Sequence, residues 1–181
     1  MTAPCLYHGA FDEVIAELNS DADWRAIFGR ENKRLRDQEL ILRFFALKHD
    51  GPDYFRPLKG FLNKFMKSNR DRQRFSAEEL SDQFHGTVSL IRSSLGDRPF
   101  RPERLLNAAI LDSVMVAVSD GIQLGVVGAD TLPDRYVALL ANAGYLASTK
   151  GNTAQEEQVE LRLRLAREAF GVQEPADGPQ Q

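Results

Sequence analysis

Cysteine, histidine and tryptophan are scarce in this sequence of 181 residues, which contains one, three and one of them respectively. A single cysteine, Cys5, excludes an internal disulfide and any metal site built from several thiolates. A lone thiol is also typical of a reducing compartment, so the sequence predicts a cytoplasmic protein.

Long apolar runs are missing as well. The longest, residues 105–118, contains Asn107 and Asp112 and falls short of the ~20 apolar residues that cross a bilayer. No basic segment followed by an apolar stretch opens the chain, as a secretory signal would require. We therefore expect no contact with a membrane.

Neither sign of charge is in large excess, since the net charge is -3 at pH 7 and the isoelectric point is about 5.7. This balance excludes a global attraction to nucleic acid, so polyanion binding would require a local basic patch. With 43% hydrophobic and 27% charged residues, the composition is that of a globular protein long enough to bury a core.

What the sequence does contain is apolar residues spaced three and four apart along most of its length. This spacing, together with poor strand signals, predicts an all-α fold, an irregular bundle of seven or eight helices. We expect a single helical domain over residues 1–171 and a disordered tail over residues 172–181.

The helix boundaries are predicted from capping and turn signals. Besides a first and a last helix, predicted helices cover residues 22–28, 38–48, 57–68, 80–95, 105–119 and 135–146. Asp37 is the predicted N-cap of the helix over 38–48, and capping boxes are predicted at 76–79 and 153–156. The last helix should end near Gly171, whereas residues 121–132 are ambiguous. The packing residues expected in the central helix pair are Leu40, Phe44, Leu58, Phe61 and Phe65.

No motif for catalysis emerges from the reactive residue types. His8, His49 and His85 lack the spacing of metal ligands, and Cys5 near His8 is more simply a bystander thiol than a nucleophile with its base. No glycine-rich phosphate loop, nucleophile elbow or HExxH motif occurs. We therefore predict no catalytic residue, no cofactor, no metal site and no enzymatic activity.

Two basic clusters are the candidate contacts for phosphate groups or nucleic acid. They comprise Lys33, Arg34 and Arg36 before one helix, and Lys64, Lys67, Arg70, Arg72 and Arg74 around the end of the next. The structural alternative is favoured for both. In the first cluster, Arg36 and Arg43 would pair with Asp37 and Glu39, and in the second the cations would complement a helix dipole. If DNA binds, the second cluster is the first place to look.

Asp112 is unusual because it interrupts a helix that is apolar on most faces. A buried carboxylate must be paired or protonated, since its desolvation costs several kcal/mol. We predict a structural acid paired with Arg43 or Arg104. A catalytic carboxylate is the alternative, because perturbed acids collect at active sites.

Several segments resemble one known family. They are residues 6–11 (LYHGAF), 17–19 (ELN), 24–25 (WR), 36–47 (RDQELILRFFAL), Tyr54, 57–66 (PLKGFLNKFM) and 107–115 (NAAILDSVM). In this order they are similar to the C-terminal helical half of the GmrSD N-terminal-domain family, also called domain of unknown function 262. The resemblance covers residues 1–119, and residues 120–171 would be additional helices.

The resemblance implies a context rather than an activity. In that family a ParB- and sulfiredoxin-like half with a D-G-Q-Q-R motif precedes the helical half and handles nucleotides, and some members restrict phage DNA. No D-G-Q-Q-R occurs here, so no nucleotide-site residue is carried over. The resemblance therefore predicts a non-catalytic helical module, split or truncated, whose protein partner is the missing nucleotide-binding half. The alternative is a nucleic-acid-binding module that uses the two basic clusters.

Overall fold

The computed structural model describes residues 9–70 and 74–173, and within these ranges the chain is helical, without a β-strand. The α-helices there are α1 (Ala10–Leu18), α2 (Ala22–Phe28), α3 (Arg36–Asp50), α4 (Leu58–Ser68), α5 (Ala77–Leu95), α6 (Ala108–Gln123), α7 (Leu132–Ala141), α8 (Ala143–Ser148) and α9 (Glu156–Ala169). A 3-10 helix, Gly51–Asp53, links α3 to α4. The all-α fold predicted from the sequence is confirmed.

The helix predicted over residues 135–146 is divided into α7 and α8. Asn142 lies between them in an extended conformation, and its side chain accepts a hydrogen bond from the Tyr145 amide at 2.9 Å. Asparagine thus acts as an N-cap inside a stretch whose apolar spacing is continuous. Of the predicted disordered tail, positions 174–181 lie outside the described residues. Val172, the first residue of that prediction, is instead buried.

Capping explains where α5 and α9 begin. At α5 the Ser76 hydroxyl accepts from the Glu79 amide at 3.1 Å and the Glu79 carboxylate accepts from the Ser76 amide at 2.7 Å, which is the predicted capping box. The second predicted box is wrong. Helix α9 starts after Gln155, and the Glu156 carboxylate accepts from the Arg56 amide at 3.0 Å, because the turn before α4 lies against it.

The N-cap predicted at Asp37 is also wrong. Helix α3 begins two residues earlier than predicted, at Arg36, and Leu35 occupies the N-cap position in a left-handed conformation with φ of 55°. The Asp37 side chain instead turns into the protein, where only 1% of the residue is exposed.

Helix α6 and helix α9 end in the same type of turn. After α6 the Val126 amide donates to the Gly121 carbonyl at 2.9 Å and the Gly125 amide donates to the Ile122 carbonyl at 3.0 Å. Gly125 has a φ of +68°, as the left-handed residue of this Schellman motif requires. The turn resolves the ambiguous segment 121–132: its first part is the end of α6, and the chain then folds back onto Gly121.

One hydrophobic core includes side chains from every α-helix named above, from Phe11 to Phe170. Helix α6 is at its centre and packs against α3, α5 and α9. Of the five packing residues predicted for α3 and α4, Leu40, Phe44, Phe61 and Phe65 are buried and Leu58 is partly exposed. Among the described residues, no helix combines the length and apolar character needed to span a bilayer.

Candidate functional site

Asp112 is fully buried in the first half of α6, and two arginines share its carboxylate. Its Oδ2 accepts a hydrogen bond from Nη2 of Arg43 on α3 and lies 3.8 Å from Nη2 of Arg162 on α9. Arg43 is one of the two partners predicted from the sequence, whereas Arg104, the other predicted partner, forms no ion pair with Asp112. The side chain of Arg162 is only 2% exposed, and its Nη1 also donates to the Thr153 carbonyl at 2.6 Å.

This triad contains two cations and one anion, so it carries an excess positive charge inside the protein. Burial lowers the pKa of Arg162, the Asp112 carboxylate opposes that effect, and the nearby Arg43 adds to it. The Nε atoms of both arginines and Oδ1 of Asp112 are buried without a hydrogen-bond partner. Such unpaired polar atoms are costly in a low-dielectric interior.

A second triad joins the same three helices. Asp120 on α6 accepts from Nζ of Lys48 on α3 at 2.6 Å and from Nε of Arg167 on α9 at 2.9 Å. The Lys48 side chain is 4% exposed, so this triad is also largely withdrawn from water. Two acids of α6 therefore each join a cation of α3 to a cation of α9.

An open groove of about 1070 Å³ lies beside the first triad. Arg43 of that triad lines it, together with Arg104 and Lys150, and Glu103 is the one acidic residue in the lining. The apolar walls come from Leu105, Leu106, Ala108, Ala109, Ile110 and Leu146. The groove thus combines three cations with apolar walls at the beginning of α6.

The side chain of Asn107 already forms hydrogen bonds with backbone groups at the beginning of α6. The Asn107 Oδ1 accepts from the amides of Ala109 and Ile110 at 3.0 and 3.1 Å, and its Nδ2 donates to the Thr149 carbonyl at 3.1 Å. Asn107 therefore caps α6 and ties the loop before it to the end of α8. Two of the backbone donors that a ligand could otherwise use are therefore occupied.

Asp37, near the start of α3, is the centre of a third polar network. Its Oδ2 accepts from Nη1 of Arg25 at 2.9 Å, from Nδ2 of Asn19 at 3.2 Å and from the Asn32 amide at 3.2 Å. The Asn19 Oδ1 accepts in turn from Trp24 Nε1 at 3.1 Å and from Arg25 Nη2 at 2.9 Å. Burial alone would raise the pKa of Asp37, but the hydrogen bonds from Asn32, Arg25 and Asn19 lower it below its usual value.

The sequence predicted that Arg36 and Arg43 pair with Asp37 and Glu39. This prediction is wrong for Asp37 and Arg43, because each has a different partner in the structure. Asp37 binds Arg25 across from α2, and Arg43 binds Asp112 on α6. Both partners, Arg25 and Asp112, lie on other helices, so spacing along α3 carried no information about them.

The two predicted basic clusters do not form one surface. Lys33, Arg34 and Arg36 are exposed at the start of α3, whereas Arg74 pairs with Asp50, the last residue of α3. A helix of 15 residues places its ends about 20 Å apart. Lys64, Lys67 and Arg70 are exposed at or just after the second half of α4, and Arg72 lies outside the described residues.

His49 serves packing in this structure. Its ring lies 4.1 Å from the Phe75 ring, centroid to centroid, and Nε2 is 3.0 Å from Oε1 of Gln83. Burial and the charge of Lys48 lower the pKa of His49 to about 4. The unfolded chain takes up this proton near its usual pKa of 6.5, so stability is complete above pH 6.5 and falls between pH 6.5 and about 4.

Sequence reasoning missed Arg162, Lys48, Asp120 and Arg167. A signal existed for Arg162, because it lies on the buried stripe of α9 with Val159, Leu163 and Ala166, at helical spacing. A cation on such a stripe requires a buried acid. Among the residues that the structure describes, no group of three or more histidine, cysteine or acidic side chains is arranged to hold a metal ion.

Comparison with known proteins adds no assignment. No protein-family model matches this chain, and neither a curated protein nor a solved structure matches it. The resemblance to the GmrSD family stays a prediction that rests on the segments quoted above.

Proposed function

We propose that this chain is a non-catalytic helical module of a GmrSD-like DNA restriction or phage-defence system. In this proposal it acts in the cytoplasm by packing on a nucleotide-binding half that another chain or segment supplies. The module contributes a rigid helical surface, and the partner contributes the nucleotide chemistry.

The observation that carries the proposal is the meeting of the resembling segments in space. Asn19, Trp24, Arg25 and Asp37 come from three of those segments and form one hydrogen-bonded network. The network joins residues that are separate in the sequence, as parts of one structural unit would be. It supports treating the segments as parts of one inherited unit.

The aromatic residues of the same segments are connected as well. Phe11 packs edge-on against Phe45 at 6.0 Å and against Phe65 at 5.6 Å, and Tyr54 packs edge-on against Phe61 at 5.1 Å. These contacts join α1, α3, α4 and the turn before α4 through residues of four of the quoted segments. They give the unit an interior, so its contribution to a larger protein would lie on its outer surface.

The surface that we assign to the partner is the last turn of α6 and the turn that follows it. Three of the six large apolar side chains exposed in the described part of the chain occur there, namely Ile122 (38%), Leu124 (59%) and Val126 (38%). The Schellman turn projects this segment from the end of a rigid, buried helix. Apolar side chains held outward on rigid backbone are typical of contact sites between proteins.

The test is co-elution of the purified chain with a separately expressed GmrSD-like half that contains the D-G-Q-Q-R motif and is encoded next to it. We expect a complex at micromolar concentration, and we expect Leu124→Asp to weaken it about tenfold or more, as for loss of a buried apolar anchor. Leu105→Asp is the matched control. Leu105 is 85% exposed and lies before α6, whereas Leu124 follows α6, a helix of 16 residues that spans about 24 Å.

Two results would contradict the proposal at different levels. No complex at micromolar concentration argues against the module itself. A complex that Leu105→Asp disrupts and Leu124→Asp leaves intact keeps the module but moves the interface to the groove before α6.

The alternative, a nucleic-acid-binding module that uses the two basic clusters, has less support. Arg74 is engaged by Asp50 and stacks on the Phe75 ring at 4.9 Å, and the first cluster is at the opposite end of α3. Salt-dependent DNA retention that Lys33→Glu or Arg70→Glu abolishes would favour this alternative.

A further inference from the structure

We propose that the groove before α6 binds a small phosphate-bearing ligand with an apolar body. Arg104 and Lys150, both exposed, would hold the phosphate at the rim, and Arg43 would approach it from below. This site is independent of the module proposed above and of the basic clusters predicted from the sequence.

The charge balance beneath the groove is the first argument. Arg43 and Arg162 share the single carboxylate of Asp112, so the buried triad is one negative charge short of neutrality. Arg43 is the member that lines the groove, with its side chain 13% exposed. An anion in the groove would offset the excess charge where water is already partly excluded, and electrostatic attraction is stronger there than at an open surface.

The lining of the groove is the second argument. Three cations and one acid, Glu103, surround it, although the chain as a whole is net negative. Cations from three separate segments meet here: α3, the loop before α6 and the loop after α8. Neither of the clusters predicted from the sequence brings cations from so many segments to one place.

The walls and size of the groove indicate the class of ligand. Leu106, Ile110 and Leu146 line it beside the cations, so a ligand that carries only charge would leave these walls uncovered. A volume of about 1070 Å³ is slightly above the usual range for small-molecule sites, so a small ligand would fill only part of this open groove. Guanidinium groups pair well with phosphate because several of their N–H donors point in one plane. A phosphate ester with an apolar or aromatic group fits both features.

The beginning of α6 adds its dipole, while two of its backbone donors are already occupied. Its partial positive charge favours an anion nearby. Because Asn107 already binds the Ala109 and Ile110 amides, the recognition that we propose depends on side chains. Charge-reversal variants that leave the helix cap intact can therefore test this recognition.

Titration calorimetry of the full chain with inorganic phosphate and with phenyl phosphate tests the site. We expect saturable one-to-one binding, with phenyl phosphate bound about tenfold more tightly, since covering about 50 Å² of apolar wall has that effect. Changes in NMR amide shifts on addition of phenyl phosphate should be concentrated in residues 104–110 and 149–153.

The decisive variant is Arg104→Glu with Lys150→Glu, and its matched control is Lys33→Glu with Arg34→Glu. All four side chains are exposed, and the two double variants change the net charge equally. We expect the groove variant to weaken phenyl phosphate binding by about 100-fold, as for loss of two charge-assisted hydrogen bonds, and the control to leave it within about twofold.

Several results would overturn the proposal. They are no saturation by about 10 mM phenyl phosphate, equal loss of binding in the two double variants, and equal affinity for phenyl phosphate and inorganic phosphate. A single-stranded oligonucleotide without terminal phosphate that binds more tightly than phenyl phosphate, and that the control variant releases, would assign the polyanion affinity to the start of α3 instead.

Discussion

Replacing Asp112 with asparagine tests whether its carboxylate holds α3 and α9 against α6. The change keeps the volume and shape of the side chain, so it leaves no cavity. It removes the negative charge that Arg43 and Arg162 share, and both arginines then face each other beside a fully buried amide. Neither cation has another acid among the ion pairs that the structure describes.

The expected magnitude follows from the burial. Removing one partner of a buried ion pair costs about 3–5 kcal/mol, because the remaining charge stays desolvated. For a chain of this length a loss of 1 kcal/mol lowers the melting temperature by about 2–4 °C, so Asp112→Asn should melt about 10 °C below the parent. Urea denaturation followed by far-ultraviolet circular dichroism measures the same loss as a free energy of unfolding.

The matched control is Asp97→Asn. Asp97 pairs with Arg92 at 2.7 Å, but its side chain is 63% exposed, and a pair at such a surface contributes at most about 1 kcal/mol. Arg104→Ala should leave stability unchanged, because Arg104 is not the partner of Asp112.

A double variant separates charge from packing. In the Asp112→Asn background, Arg162→Met removes one of the two unpaired cations, so it should cost less than it costs alone. If Asp112→Asn lies within about 1 kcal/mol of the parent, the carboxylate does not hold the helices and the reasoning is refuted.

Three further predictions concern stability. Between pH 6.5 and 4 the parent should lose about 1–2 kcal/mol more of its free energy of unfolding than His49→Gln, since only the parent keeps a buried neutral imidazole whose pKa is about 4. Urea titrations at each pH measure this free energy. Equal pH dependence of the two proteins would contradict the prediction. Leu35→Asn should stabilise by about 0.5–1 kcal/mol, because asparagine tolerates the left-handed conformation at φ of 55°; Leu35→Ala should give no such gain in thermal melting. Gly121→Ala should destabilise by about 1–3 kcal/mol, because its Cβ would lie 2.3 Å from Cγ2 of Val127. Gly86→Ala, which meets nothing within 4 Å, should instead stabilise α5 by up to about 1 kcal/mol, and the reverse order of the two glycine variants would refute the packing argument.

The helices were predictable from the sequence to different degrees. The start of α5 was correct, since the Ser76–Glu79 box depends only on residues three apart. The starts of α3 and α9 were wrong, since Asp37 and Glu156 have the right residue type for local capping but bind groups from other parts of the chain. A capping signal therefore holds only where no stronger partner lies nearby in space.

The candidate site was predictable only in part. The position of Asp112 in an apolar helix required a cation, and Arg43 was one of the two that we named. The second cation, Arg162, had a readable signal on the stripe of α9 that we did not use. The groove had none, because Arg104, Lys150 and Arg43 come from segments with no common spacing.

By itself the sequence determined that this protein is helical, because apolar spacing and local hydrogen bonds operate over three or four residues. It also determined that a carboxylate would be buried in α6, because the surrounding positions are apolar. Only the tertiary structure decided which charges meet: Asp112 with two arginines, Asp120 with Lys48 and Arg167, and Asp37 with Arg25. Each of these acids pairs with cations on other helices, and the direction in which a helix packs is set by the whole core.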